Sequence, residues 1–71
     1  MDFSRHAKNQ LRRNQWSERE AVAVILDPVA TDADESCNPR YVGYIRGALV
    51  RVVVAADDPN VVITVHLRRH L

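Results

Sequence analysis

Three stretches in the second half of the chain, Arg40–Arg46, Ala48–Ala56 and Val61–Arg68, narrow the choice of folds more than any other feature. Each is rich in valine or isoleucine and bounded by turn-forming residues, the pattern of strands that fit a pleated, half-buried surface. Gly47 closes the first connection, and Asp57-Asp58-Pro59-Asn60 the second. Strands joined this tightly run antiparallel, because a parallel return needs a long crossover. Val29 and Thr31 are placed to start a fourth, short edge strand, and the acidic stretch from Asp32 to Asn38 reads as a solvated loop.

Alternation divides these strands into two faces. In the last strand Val61, Ile63, Val65 and Leu67 oppose Val62, Thr64, His66 and Arg68. In the middle strand Val50, Val52 and Val54 oppose Leu49, Arg51 and Val53. In the first, Tyr41, Gly43 and Ile45 oppose Val42, Tyr44 and Arg46.

Two helices precede the sheet. Ser4 caps the first, which runs to about Asn14, with Ala7 and Leu11 on one face and Phe3 leading in. His6, Gln10 and Arg13 form a neighbouring polar stripe. The second opens with Ser17-Glu18-Arg19-Glu20, a capping box in which the Ser17 hydroxyl and the Glu20 carboxylate each satisfy a free N–H. Trp16 before the cap and Ala21 after it form a small hydrophobic staple. Ala21, Val22, Val24, Ile25 and Leu26 give a broad apolar face, and Pro28 stops the helix near Asp27. The expected fold is α+β: two N-terminal helices packed on one face of a three- to four-stranded antiparallel sheet, in one domain over residues 1–71.

A chain of 71 residues buries only roughly 60% of the surface it exposes when unfolded. Chains this small often draw on a disulfide, a metal or a partner subunit for stability. Cys37 is the single cysteine, so neither an internal disulfide nor a zinc site built on thiolates is available. A lone cysteine, no leader-like apolar run at the N-terminal end and no stretch near the roughly 20 residues of a membrane span point to a cytoplasmic protein.

The net charge of +1 conceals segregation. Residues 1–16 hold four cations against Asp2. Residues 17–38 hold six carboxylates against Arg19. Residues 39–71 hold five arginines against Asp57 and Asp58. If the first helix and the sheet converge, a basic surface would stand opposite an acidic one.

No Gly-rich phosphate loop, nucleophile elbow or His-Glu-x-x-His zinc helix is present. His66 and His70 make a poor metal pair, so no metal or other cofactor is expected. A helix-free sheet face bearing Thr64, His66, Arg68 and Arg51, with Tyr44 and Arg46, suits metal-free cleavage of RNA. That reaction needs a base for the 2′-hydroxyl proton, an acid for the leaving 5′-oxygen and cations for the phosphorane charge. Histidine titrates near neutrality, and arginine holds phosphate oxygens with a planar fork. The candidate catalytic residues are His66, His6, Arg51 and Thr64. Arg68, Arg46, Arg13 and Tyr44 are candidates for holding RNA. A solvated sheet histidine, ordinary cross-strand pairing of Arg51 and packing tyrosines account for the same residues without any reaction.

The run His6-Ala7-Lys8-Asn9-Gln10-Leu11-Arg12-Arg13, with Ser17 opening a helix that ends at Asp27-Pro28-Val29, resembles the start of the small bacterial domain-of-unknown-function family numbered 4258. Asn38-Pro39-Arg40-Tyr41, Val52-Val53-Val54 and Ile63-Thr64-Val65-His66 are similar to the rest of that domain. The resemblance implies a RelE/BrnT-like fold and a metal-free ribonuclease activity, as in toxins of toxin–antitoxin pairs. His6 matches the family's His-Ala pair, and Thr64 and His66 match its closing strand. The family's late helix-1 arginine has no counterpart, because Asn14 and Gln10 stand near that position and Arg12 and Arg13 lie on other faces. The implied partners are RNA and an acidic antitoxin protein. Two other readings stay open: a non-catalytic module that binds nucleic acid or protein, and a homodimeric structural domain.

Overall fold

A computed structural model describes residues 1–68. The elements in chain order are β1 (Asp2–Phe3), α1 (Arg5–Asn14), α2 (Glu18–Leu26), β2 (Ala30–Ala33), β3 (Pro39–Ile45), β4 (Ala48–Ala55) and β5 (Asp58–Leu67). The strands form one sheet in the order β1-β5-β4-β3-β2. The architecture is α+β, with both helices on one face.

Two expectations are corrected. The sheet has five strands, not three or four, and it is mixed, because β1 runs parallel to β5, pairing Asp2 with Val61 and Phe3 with Val62. A two-residue strand has too few positions to show alternation, and its pairing partner lies at the other end of the chain. The remaining three pairings are antiparallel.

Both helix starts are built as their sequences demand. The Ser4 hydroxyl accepts from the Ala7 N–H, and Ser17 and Glu20 form both halves of the capping box. Helix α1 ends without glycine: Gln15 takes the left-handed conformation (φ 60°), and the N–H of Trp16 closes onto the Leu11 carbonyl. The β3–β4 hairpin turns on Arg46 and Gly47, both at positive φ, as a two-residue turn matched to strand twist requires.

The β4–β5 connection differs from the expected one. Ala55 pairs with Asp58, so the turn is Ala56-Asp57, and Pro59 lies inside β5. Two register shifts follow, one between Ala55, paired with Asp58, and Val54, paired with Val62, and one between Val54 and Val53, paired with Thr64. These irregularities break strict alternation and send both Val62 and Val65 into the core. Ser4 is tied to this break, its N–H donating to Val62 O at 2.9 Å and its hydroxyl to Ile63 O at 2.6 Å.

The core lies between helices and sheet: Phe3, Ala7, Leu11, Ala21, Val24, Ile45, Val50, Val52, Val54, Val62 and Val65. Gly43 lets α2 approach, since a Cβ there would stand 3.0 Å from Val24 Cγ1. Val42 and Val53 are also buried, at 2% and 5% exposure, yet belong to the other face and to no helix-covered cluster. Their directly opposed neighbours are Arg51 and Arg40, long side chains whose aliphatic stems can shield them.

Candidate functional site

Pairing across β2, β3, β4 and β5 sets out the helix-free face in three rows. One runs Ala30, Val42, Arg51, His66. The next runs Asp32, Arg40, Val53, Thr64. The third holds Tyr44 opposite Leu49, and continues to Arg68, whose N–H donates to Leu49 O at 2.8 Å. His66 therefore stands beside Arg51, with Arg68 and Arg40 in the adjoining rows. Alternation in the sequence foretells most of this.

The charges on this face act on one another. Burial, then the guanidiniums of Arg51, Arg68 and Arg40 and the imidazole of His6, push the His66 pKa below its usual 6.5. These influences favour the neutral imidazole, the form able to accept a proton. Arg51 is held below the usual arginine value by burial and by Arg68 and Arg40. Its Nε is buried and has no hydrogen-bond partner among the described residues. An unpaired buried donor is costly. Arg40 is raised by its two-pronged bond to Asp32, Nε to Oδ1 at 2.8 Å and Nη2 to Oδ2 at 2.6 Å. The same bond holds Asp32 below the usual carboxylate range. Sequence reasoning passed over Arg40 and Asp32, although alternation from Tyr44 and Val42 puts Arg40 on this face.

The other candidates divide. Tyr44 is on the face and 59% exposed. His6 is exposed in the first turn of α1, near enough for its charge to bear on His66. Arg13 is exposed in the last turn of α1 and not on a sheet strand, and its charge complements the helix dipole. Arg46 is also absent from the face. At the hairpin tip its guanidinium turns to the helices, with Nε 3.0 Å from Glu20 Oε2 and Nη2 bonded to the Gln15 carbonyl. Alternation fails there because the turn residue has left the strand.

Thr64 is engaged rather than available. Gln10 Oε1 accepts from the Val65 N–H at 2.7 Å and lies 2.6 Å from Thr64 Oγ1. A backbone N–H can only donate, so the amide atom facing it must be the oxygen, and the Thr64 hydroxyl must donate as well. Its proton is spent on Gln10 and cannot hold a phosphate oxygen. The expected stripe of His6, Gln10 and Arg13 is thereby broken in the middle, since Gln10 docks α1 onto β5.

Among the described residues no cluster of three or more His, Cys, Asp or Glu side chains could hold a metal ion, and no helix is long and apolar enough to cross a membrane. His70, weighed above with His66 as a metal pair, lies outside the described residues. A shallow depression lined by Ala33, Asp34, Glu35, Ser36 and Arg40 sits at the β2–β3 loop, and His66 does not line it. Comparison with known protein families, curated proteins and solved structures finds no match.

Proposed function

We propose that this chain is a small metal-free ribonuclease of the RelE/BrnT-like toxin kind, related to the family numbered 4258, and that it works through the helix-free sheet face. The observation that carries the reading is the pairing of His66 with Arg51 there, an imidazole set among guanidiniums that disfavour its protonation. His66 takes the 2′-hydroxyl proton. The 2′-oxygen forms its bond to phosphorus as the bond from phosphorus to the 5′-oxygen breaks, leaving a 2′,3′-cyclic phosphate. The 5′-oxygen takes a proton from water, with His6 as the assisting histidine. Arg51 and Arg68 meet the charge that builds on the phosphorane oxygens. The depressed pKa favours His66 as base over His66 as acid. An acidic antitoxin segment laid over the same arginines is the protein partner their charge calls for.

The engagement of Thr64 with Gln10 favours a second reading, a module that binds RNA on this face without cutting it. One experiment separates the two. The purified chain is incubated with RNA in the presence of a chelator, beside His66→Ala. A ribonuclease shows cleavage that falls by about 10²- to 10⁴-fold in the variant, the range for loss of a general base. Binding without cleavage selects the module, and cleavage untouched by the substitution removes His66 from the mechanism.

A further inference from the structure

We propose that the RNA taken by this face is single-stranded, with an unpaired base stacked on the ring of Tyr44 while adjoining phosphates lie over Arg51 and Arg68. The inference rests on the RNA-binding reading above and adds the class of RNA. Tyr44 is 59% exposed: it projects from β3 two residues past Val42, the last position paired with β2, and just before the hairpin turn, so Leu49 of β4 is its cross-strand neighbour. Beside it lie the buried Val42 on its own strand and the half-buried Leu49 across on β4, so its nearest neighbours on this face are apolar. The cations are close at hand. Arg68 ends the row that Tyr44 begins, two strand spacings or about 10 Å away. Arg51 lies between, in the next row.

An aromatic ring beside arginines on an open sheet matches the two parts of an unpaired nucleotide, a free π-face and a charged phosphate. A duplex offers only the second, because its bases are stacked on one another. Its phosphates would meet the arginines and leave the tyrosine unused.

The test uses the whole chain and a short 2′-O-methylated oligoribonucleotide, which cannot be cleaved by its own 2′-oxygen. Affinity is measured by fluorescence anisotropy for the single strand, for the same strand annealed to its complement, and for an abasic chain of equal charge. The single strand is expected to bind about tenfold more tightly than the other two, from one stacked base. Tyr44→Ala should remove that advantage and leave abasic binding unchanged, and Tyr44→Phe should keep it. Equal affinity for single strand and duplex, or no effect of Tyr44→Ala, overturns the inference and leaves RNA binding intact. Failure of all three to bind overturns the RNA-binding reading itself, and this inference with it. Circular dichroism of both variants checks that an exposed side chain was changed without loss of fold.

Discussion

Protonating His66 would add a positive charge beside Arg51, Arg68 and Arg40, on an imidazole already partly withdrawn from water. Its folded pKa therefore lies below 6.5, and the unfolded chain binds the proton more readily. Stability should fall as the pH drops from about 6.5 toward the folded value, level off below it, and be indifferent to this residue above about 6.5. Denaturant unfolding at about pH 5 and about pH 7 should show this slope in the native chain and lose it in His66→Gln. A slope that persists in the variant would mean that another group causes it. Asp32, Asp34 and Glu20, whose pKa values are depressed by their hydrogen bonds, act in a lower window: their stabilisation is present above about pH 4.5 and is lost as the pH falls through their folded values. At this scale His66, Arg51 and Tyr44 were legible from alternation, whereas the engagement of Thr64 and Arg46 was not. Each is held by a partner far away in the chain, Gln10 for one and Glu20 with the Gln15 carbonyl for the other.

Helix α1 is joined to β5 by one amide group that satisfies two donors, which makes Gln10 the seam between two elements. Gln10→Ala should destabilise the chain by about 1–3 kcal/mol, the cost of leaving partly buried donors without partners. Hydrogen exchange at the Val65 amide should quicken more than at Val52, its opposite number on β4. Between α2 and β3 the device is the reverse, an absent side chain. Gly43→Ala sets a methyl 3.0 Å from the stiff, branched Val24, so α2 must shift or Val24 must leave its rotamer. A loss of about 1–3 kcal/mol is expected, read as a lower denaturation midpoint. The helices themselves were legible because caps and Pro28 are local signals. The need for glycine at position 43 was not, because it depends on which helix residue arrives above it.

The whole molecule separates an apolar layer under the helices from a cationic face open to solvent. The acidic stretch of residues 17–38 does not stay on the far side, since β2 returns Asp32 to that face as the partner of Arg40. Binding of single-stranded RNA should weaken with salt, each neutralised phosphate adding about −0.7 to the slope of log affinity against log salt. Arg51→Ala should make that slope shallower by about one phosphate, and a slope that does not change would place the RNA elsewhere.

Local physics in the sequence by itself determined the two capped helices, the antiparallel β3–β4–β5 meander and the alternation that sets His66 beside Arg51 away from the helices. All of these depend on neighbours a few residues apart or on tight turns. Only the tertiary structure decided the parallel β1–β5 pairing, the register shifts that bury both Val62 and Val65, and the docking of Gln10 on Thr64. The first and the last of these join the two ends of the chain, and a pairing across more than fifty residues leaves no periodic trace in either partner.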